Sequence, residues 1–318
     1  MRDPVATIDE LGGEDAWLAE RMVSLGGSDA APVLGIDQYR SPYQVWMEKT
    51  GQAGGFEENE AMRFGKLLEP IIADEFSVRT GWELVDPKAL WRHPSHPFMH
   101  YTPDRLIRHP AHGIGLLEIK NRSSYTGAVW DDETPPTVTA QLSHGFEVLD
   151  LDWGFSAALI GGNKLVFYRV DRDAELGDEI IRREQDFWQL VLDGTPPPMD
   201  GMAQTMDLLN GAFVPIDKEQ VELPDTLRLA RAEYTRLGAE IKALEEHRIE
   251  VGNQLRAAMR EATEATIDGE LAVSWRQQAS TRVDVKRLRD EFPDFAKQCE
   301  KKIITRVLRT HKTPDEKE

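Results

Sequence analysis

The stretch Tyr101-Thr102-Pro103-Asp104-Arg105-Leu106-Ile107-Arg108-His109-Pro110-Ala111-His112-Gly113-Ile114-Gly115-Leu116-Leu117-Glu118-Ile119-Lys120 decides the fold. Two strand-forming runs, Met99–Ile107 and Gly115–Lys120, flank a turn from Arg108 to Gly113 that is rich in His, Pro and Gly. Residues two apart on a strand project to one face. Glu118 and Lys120 therefore project together, while Ile119 faces a core. An acid and a base side by side after the apolar pair Leu116-Leu117 is poor core design, and becomes sensible where that face carries a site. Asp104 ends the previous strand, behind a proline that stiffens it. If the two strands pair through the Arg108–Gly113 turn, Asp104 and Glu118 meet.

Such a trio suits a hard cation. Mg²⁺ takes a few carboxylate oxygens and keeps several waters, and Asp104, Glu118 and the backbone carbonyl of Ile119 supply three positions. A bound cation acidifies water and neutralises charge building on a phosphate. Lys120 would orient that water or stabilise the transition state. By itself, Asp-x₁₃-Glu-x-Lys fits equally a solvated strand edge carrying a surface ion pair.

Working outward, the upstream sequence is helical. Trp17–Leu25 is closed by Gly26-Gly27, and Ser28 or Asp29 can cap a second short helix to Leu34. Ser41-Pro42 starts a helix over Tyr43–Lys49. A longer helix, Glu57–Thr80, has apolar positions Phe64, Leu67, Leu68, Ile71, Ile72 and Phe76 and stops at Gly81. Strands follow at Trp82–Val85 and Ala89–Arg92. Downstream come a helix at Pro136–Leu149, a hairpin of Trp153–Ile160 and Lys164–Val170 turning at Gly161-Gly162-Asn163, and a helix at Ala174–Leu192. This order predicts an α/β (α+β) fold in which a mixed central sheet is flanked by helices.

The run Asp193-Gly194-Thr195-Pro196-Pro197-Pro198 is the best boundary, dividing the chain into 1–198 and 199–318. Beyond it, Leu227, Ala230, Tyr234, Leu237, Ile241, Leu244, Arg248, Val251, Leu255 and Ala258 recur at alternating steps of three and four. That is a heptad seam on one long helix, with Arg248 the misfit. A strand at Leu271–Arg276, a helix around Val285–Phe292 and a basic segment complete a small α/β tail. The seam suits a partner helix better than a flat sheet, so the expected partner is the first domain, another protein or another subunit.

Composition sets limits. The 318 residues carry 38 Lys+Arg against 56 Asp+Glu, a net charge of −18, which argues mildly against nucleic acid. About −16 of it falls in residues 1–200, whereas residues 271–310 come to about +5. A narrow basic groove can coexist with an acidic exterior, because the local field outweighs the total. No apolar run approaches the ~20 residues of a membrane span. The polar, acidic N-terminus lacks the features of a signal peptide, which predicts a cytoplasmic protein. With the single cysteine Cys299, internal disulfides and cysteine-based zinc sites are excluded. His93, His96, His100, His109 and His112 match no standard zinc spacing and read as turn residues, and Asp131-Asp132-Glu133 reads as a loop charge run.

Five ordered motifs over roughly residues 15–195 resemble the YqaJ-type viral recombinases, phage exonucleases related to lambda exonuclease within the PD-(D/E)xK nucleases. They begin with Leu25-Gly26-Gly27-Ser28-Asp29-Ala30-Ala31, continued by Leu34-Gly35, Tyr39-Arg40-Ser41-Pro42-Tyr43 and Trp46-x-Glu48-Lys49-Thr50-Gly51. Next come Arg63-x-Gly65-x₃-Glu69-Pro70, Thr102-Pro103-Asp104, Leu117-Glu118-Ile119-Lys120 and Thr139-Ala140-Gln141-Leu142-Ser143-His144. The resemblance implies a restriction-endonuclease-like core, with Glu69, Asp104 and Glu118 holding Mg²⁺ (Mn²⁺ substituting), Lys120 catalytic and Gln141 bracing the site. It further implies that Arg21 grips a terminal 5′-phosphate, with Ser28 and Thr102 beside it. Arg122 comes earlier after the lysine than the family's further phosphate-binding arginine, so dependence on a 5′-phosphate is the point where this sequence departs.

The implied activity is resection of double-stranded DNA ends for recombination, releasing 5′-nucleotides, in the host cytoplasm if phage-encoded. The implied partners are DNA, a single-strand annealing protein and further copies in a ring. An endonuclease or structure-selective nuclease on the same fold is the alternative enzyme, and a non-catalytic DNA-binding or assembly protein the alternative outside enzymes. Taken one at a time, Glu69 and Gln141 also fit solvated surface positions, and Arg21 also fits a pair with Glu20 or Asp29.

Overall fold

In the computed structural model the described residues are 1–53, 59–213, 215–216, 220–301 and 306–311. Glu57, where the long helix was expected to begin, and residues 302–305 of the basic segment lie outside them. The chain forms two compact units, Met1–Pro215 and Ile216–Glu318.

The first unit opens with β1 (Ala6–Thr7), α1 (Ile8–Leu11), α2 (Glu14–Met22), α3 (Gly27–Val33), α4 (Pro42–Lys49) and α5 (Glu60–Thr80). β2 (Glu83–Val85), β3 (Ala89–Arg92), β4 (His100–Tyr101), β5 (Arg105–His109) and β6 (Gly113–Arg122) follow. Then come α6 (Pro136–Leu149), β7 (Trp153–Ile160), β8 (Lys164–Asp171), α7 (Ala174–Leu192) and α8 (Ala203–Ala212). β1, α1 and α8 lacked a pattern strong enough to predict.

The central sheet has the order β2-β5-β6-β7-β8. β6 and β7 are parallel, joined by the crossover through α6; the other pairs are antiparallel. The expected mixed sheet flanked by helices is therefore present. Alternation along β6 divides the core into two layers. Leu116 points to the side where Leu142 and Phe146 of α6 and Ile180 of α7 pack. Leu117 and Ile119 point to the other, against Ile72, Ala73 and Phe76 of α5. Only this second half of α5 is buried. Phe64, Leu67 and Ile71, grouped with the apolar stripe in the sequence, are 48%, 55% and 59% exposed. The strand expected over Met99–Ile107 is interrupted: β4 belongs to a small sheet with β1 and β3, and β5 resumes only at Arg105. Pro103 lies in the gap, where its missing N–H suits a break in the ladder.

The expected cap of α3 is also shifted. Gly26 occupies the cap position, and Asp29, in the first turn, accepts the Gly26 N–H at 2.9 Å. Asp29 is buried and held by Arg40 at 2.7 Å and Lys49 at 2.8 Å, while Arg40 also pairs with Glu48. Burial alone would raise the Asp29 pKa, but the two cations outweigh it and hold the carboxyl well below its ordinary range. The Asp29, Arg40, Glu48 and Lys49 positions of the N-terminal motif thus form one ion cluster tying α3 to α4.

In the second unit, α9 (Thr226–Met259) carries the heptad seam, followed by a hairpin of β9 (Glu264–Ile267) and β10 (Glu270–Ser274) and two short helices, α10 (Val285–Glu291) and α11 (Pro293–Gln298). Along α9, Leu237, Ile241 and Leu244 are exposed.

Candidate active site

β5 and β6 pair with Arg105 opposite Leu117. One step before β5 begins, the side chain of Asp104 takes over the ladder: its Oδ2 accepts the Ile119 N–H at 2.8 Å. The N–H and C=O of one strand residue point to the same edge, so the Ile119 carbonyl is turned toward Asp104 as well. Glu118 and Lys120 share the α6 side of the sheet. The Lys120 ammonium donates to Glu118 Oε1 at 2.6 Å and to Gln141 Oε1 at 2.9 Å. The other oxygen of Glu118 accepts the Tyr101 hydroxyl at 2.8 Å.

Electrostatics here favour a cation. Burial, then the Glu118 charge, push the Asp104 carboxyl well above its ordinary range; Lys120 pulls the other way and Glu69 adds to the rise. Acids held this close leave negative charge that one ammonium does not cancel. Asp104, Glu118 and the Ile119 carbonyl therefore fit a hard divalent ion. Glu69 is near enough to bias Asp104, but its Oε1 accepts from Arg105 at 2.7 Å. Among the described residues no three His, Cys, Asp or Glu side chains stand ready-made around one metal position. Arg105 was not singled out from sequence; its place directly after Asp104 is the only hint there was.

A second group adjoins the first through Thr102. Thr102 Oγ1 accepts the Trp17 indole N–H at 3.1 Å, and the Arg21 guanidinium lies 5.1 Å from the Trp17 ring centre. Arg21 Nη2 donates to Ser28 Oγ at 3.4 Å, and the Arg21 backbone carbonyl accepts from Lys49 at 2.5 Å. Asp29 is held instead by Arg40 and Lys49, and Glu20 by Arg92, so neither pairs with Arg21 as the simpler reading allowed. Arg122, at the end of β6, is only partly exposed, and burial lowers its pKa against the opposing charges of Tyr39, Glu118 and Asp37.

Beneath the site lies a buried pair that sequence reading missed. His144 Nε2 donates to the His100 carbonyl at 2.8 Å, and its Nδ1 bonds Glu184 Oε1 at 2.8 Å. Burial opposes the charged imidazole, yet Glu184 raises the His144 pKa; burial raises that of Glu184 too. The two therefore hold a proton between them and fasten α6 and α7 to β4. His144 stands three residues after Gln141, so one helix face reaches both the site and its floor.

Residues 16–151 match the YqaJ-like viral recombinase domain. The uncharacterized protein YqaJ of Bacillus subtilis (strain 168) is 34% identical over 296 residues, covering 90% of this chain and 91% of the relative. The chain belongs to the YqaJ family. All five sequence motifs lie within the unit that carries the site. Among solved structures, it is similar to the alkaline exonuclease LHK-Exo of Laribacter hongkongensis, with a TM-score of 0.49 and 22% identity over 57% of this chain and 94% of that one. A phage related exonuclease of Haemophilus somnus 129PT is similar with a TM-score of 0.41 and 13% identity, over 56% of this chain and 100% of that one. Among the described residues, no helix is long and apolar enough to cross a membrane.

Proposed function

We propose that this chain is a divalent-metal-dependent exonuclease that resects double-stranded DNA from its ends and releases 5′-nucleotides for recombination. The observation that carries the reading is the strand β6: it presents Glu118 and Lys120 on one face, with Asp104 bonded across its edge and Gln141 bracing the lysine. Held by Asp104, Glu118 and the Ile119 carbonyl, with Glu69 beside them, Mg²⁺ or Mn²⁺ would supply an acidified water and charge neutralisation at the phosphate. Lys120 then stabilises the developing charge. Trp17, Arg21, Ser28 and Thr102 form the patch for a terminal 5′-phosphate, and Arg122 contacts the strand beyond.

A time course with Mg²⁺ on linear and covalently closed DNA tests this. Linear DNA is expected to shorten progressively while the closed circle survives. Linearised circles point instead to an endonuclease, and no cleavage of either substrate with any divalent ion overturns the reading. Arg21→Ala is expected to slow digestion of 5′-phosphorylated ends by about tenfold and to leave 5′-hydroxyl ends nearly unchanged.

The same reading carries a homo-oligomer and a single-strand annealing protein as partner, acting in the cytoplasm, which is that of the host if the chain is phage-encoded. The exposed seam of α9, its period set for another helix, supports self-association. The full chain is expected to sediment as an oligomer and Leu244→Asp as a monomer. A monomeric wild-type chain rules this out.

A further inference from the structure

Tyr101 is the last residue of β4 and only 2% exposed. Its ring sits in a slot where two helices come unusually close. A Cβ built on Gly27 of α3 would lie 2.4 Å from the ring, and one on Gly145 of α6 would lie 2.8 Å from it. Glycine is needed at both positions because the backbone itself forms the walls of the slot. The floor is fixed too: His144 packs its ring 6.1 Å from that of Tyr101 and bonds the carbonyl of the preceding residue, His100.

A ring alone would fill this slot. The hydroxyl is an extra polar group, and burying one is costly unless it is bonded. Its bond goes to Glu118 Oε2 at 2.8 Å. A phenol is protonated at neutral pH, so in this bond the hydroxyl is the donor and the carboxylate oxygen the acceptor. One oxygen of a buried carboxylate is thereby occupied from inside the protein. The other, Oε1, is the one shared with Lys120.

We propose that Tyr101 is a positioning residue that makes Glu118 a one-oxygen ligand and thereby sets which divalent ion the site prefers. The proposal rests on the metal-dependent reading of the site. Mg²⁺ demands a compact octahedron and is bound through few carboxylate oxygens and several waters, whereas Ca²⁺ accepts more oxygens and takes carboxylates bidentately. Tying Oε2 to a phenol withholds the second oxygen that a larger ion would use. It also fixes the carboxylate's orientation, as partners of metal ligands generally do.

Calorimetric titration of Mg²⁺ and Ca²⁺ into the full chain tests the idea on wild type, Tyr101→Phe and a variant with 4-aminophenylalanine at position 101. Tyr101→Phe keeps the ring and removes only the donor. It is expected to bind Mg²⁺ about tenfold more weakly and Ca²⁺ no more weakly than wild type, so that the preference between the ions falls. Its nuclease rate should recover at high Mg²⁺, with the half-saturating concentration raised by the same factor. The amino variant, which restores a donor, should regain much of the preference. Unchanged Mg²⁺ affinity in Tyr101→Phe, or equal losses for both ions, overturns the proposal while leaving the nuclease reading intact. A wild-type protein that binds neither ion overturns the metal reading, and this proposal with it. Should Tyr101→Phe fail to fold, the amino variant decides alone: a Mg²⁺ over Ca²⁺ preference close to wild type supports the proposal, and a lost preference overturns it.

Discussion

Asp104→Asn is expected to reduce DNA cleavage by about a thousandfold while raising the melting temperature of the metal-free protein. The two effects share one cause. The carboxylate stands beside Glu118, and its pKa is raised first by burial and then by that neighbour. A cation turns this liability into a ligand field. Loss of one ligand that carries several kcal/mol of transition-state stabilisation corresponds to about three orders of magnitude in rate. Without the cation the same carboxylate is a cost, which asparagine removes while keeping an oxygen for the Ile119 N–H. Relief of about 1 kcal/mol corresponds to about 2–4 °C for a unit of this size.

The pH dependence follows from the direction of the shift. The folded-state pKa of Asp104 lies above the ordinary aspartate value of about 4, so protonation favours the folded state. That contribution is fully present below about pH 4 and is lost as pH rises through the folded value. Melting curves in chelator are therefore expected to fall with rising pH in this window for wild type and to be flatter for Asp104→Asn. Saturating Mg²⁺ should raise the wild-type midpoint and leave the variant almost unmoved. Near wild-type cleavage by Asp104→Asn, or a lower metal-free melting temperature, contradicts the assignment.

What could be read from the sequence was what local chemistry determines. Pro136 opens α6, Ser41 caps α4 with Pro42 in its first turn, and alternation sets the faces of β6. Burial of polar groups was less legible, because it depends on partners distant in the chain. Asp29 looked like a cap residue, and only the approach of Arg40 and Lys49 makes it an ion-cluster centre. Tyr101 read as one more strand aromatic, since its bond partner lies 17 residues away on a strand of a different sheet. In α5 the apolar positions run the whole length of the helix, but the sheet covers only the turns around Ile72, Ala73 and Phe76. Periodicity identifies a stripe without saying how far the neighbouring layer extends.

Lys120→Ala is the complementary case: turnover should collapse while binding stays. Lys120 is 19% exposed, with its ammonium at the rim of the site between Glu118 and Gln141. Donors poised at developing negative charge are worth about 10²–10³-fold in rate when deleted singly, and the expected fall in kcat is of that order. The KM for DNA should hardly change, because an interaction made chiefly in the transition state leaves ground-state affinity alone. The affinity for Mg²⁺ should hold or improve, since the lysine now occupies the Glu118 oxygen that Tyr101 leaves open. Lys120→Arg should not restore the rate, because a planar guanidinium fork does not reproduce the point charge that the ammonium places between Glu118 Oε1 and Gln141 Oε1. Single-turnover rates and DNA binding measured on the same variants separate these effects. Parallel losses in binding and turnover for Lys120→Ala reassign the residue to a ground-state phosphate contact, whereas intact binding with a collapsed rate places it on the reacting group.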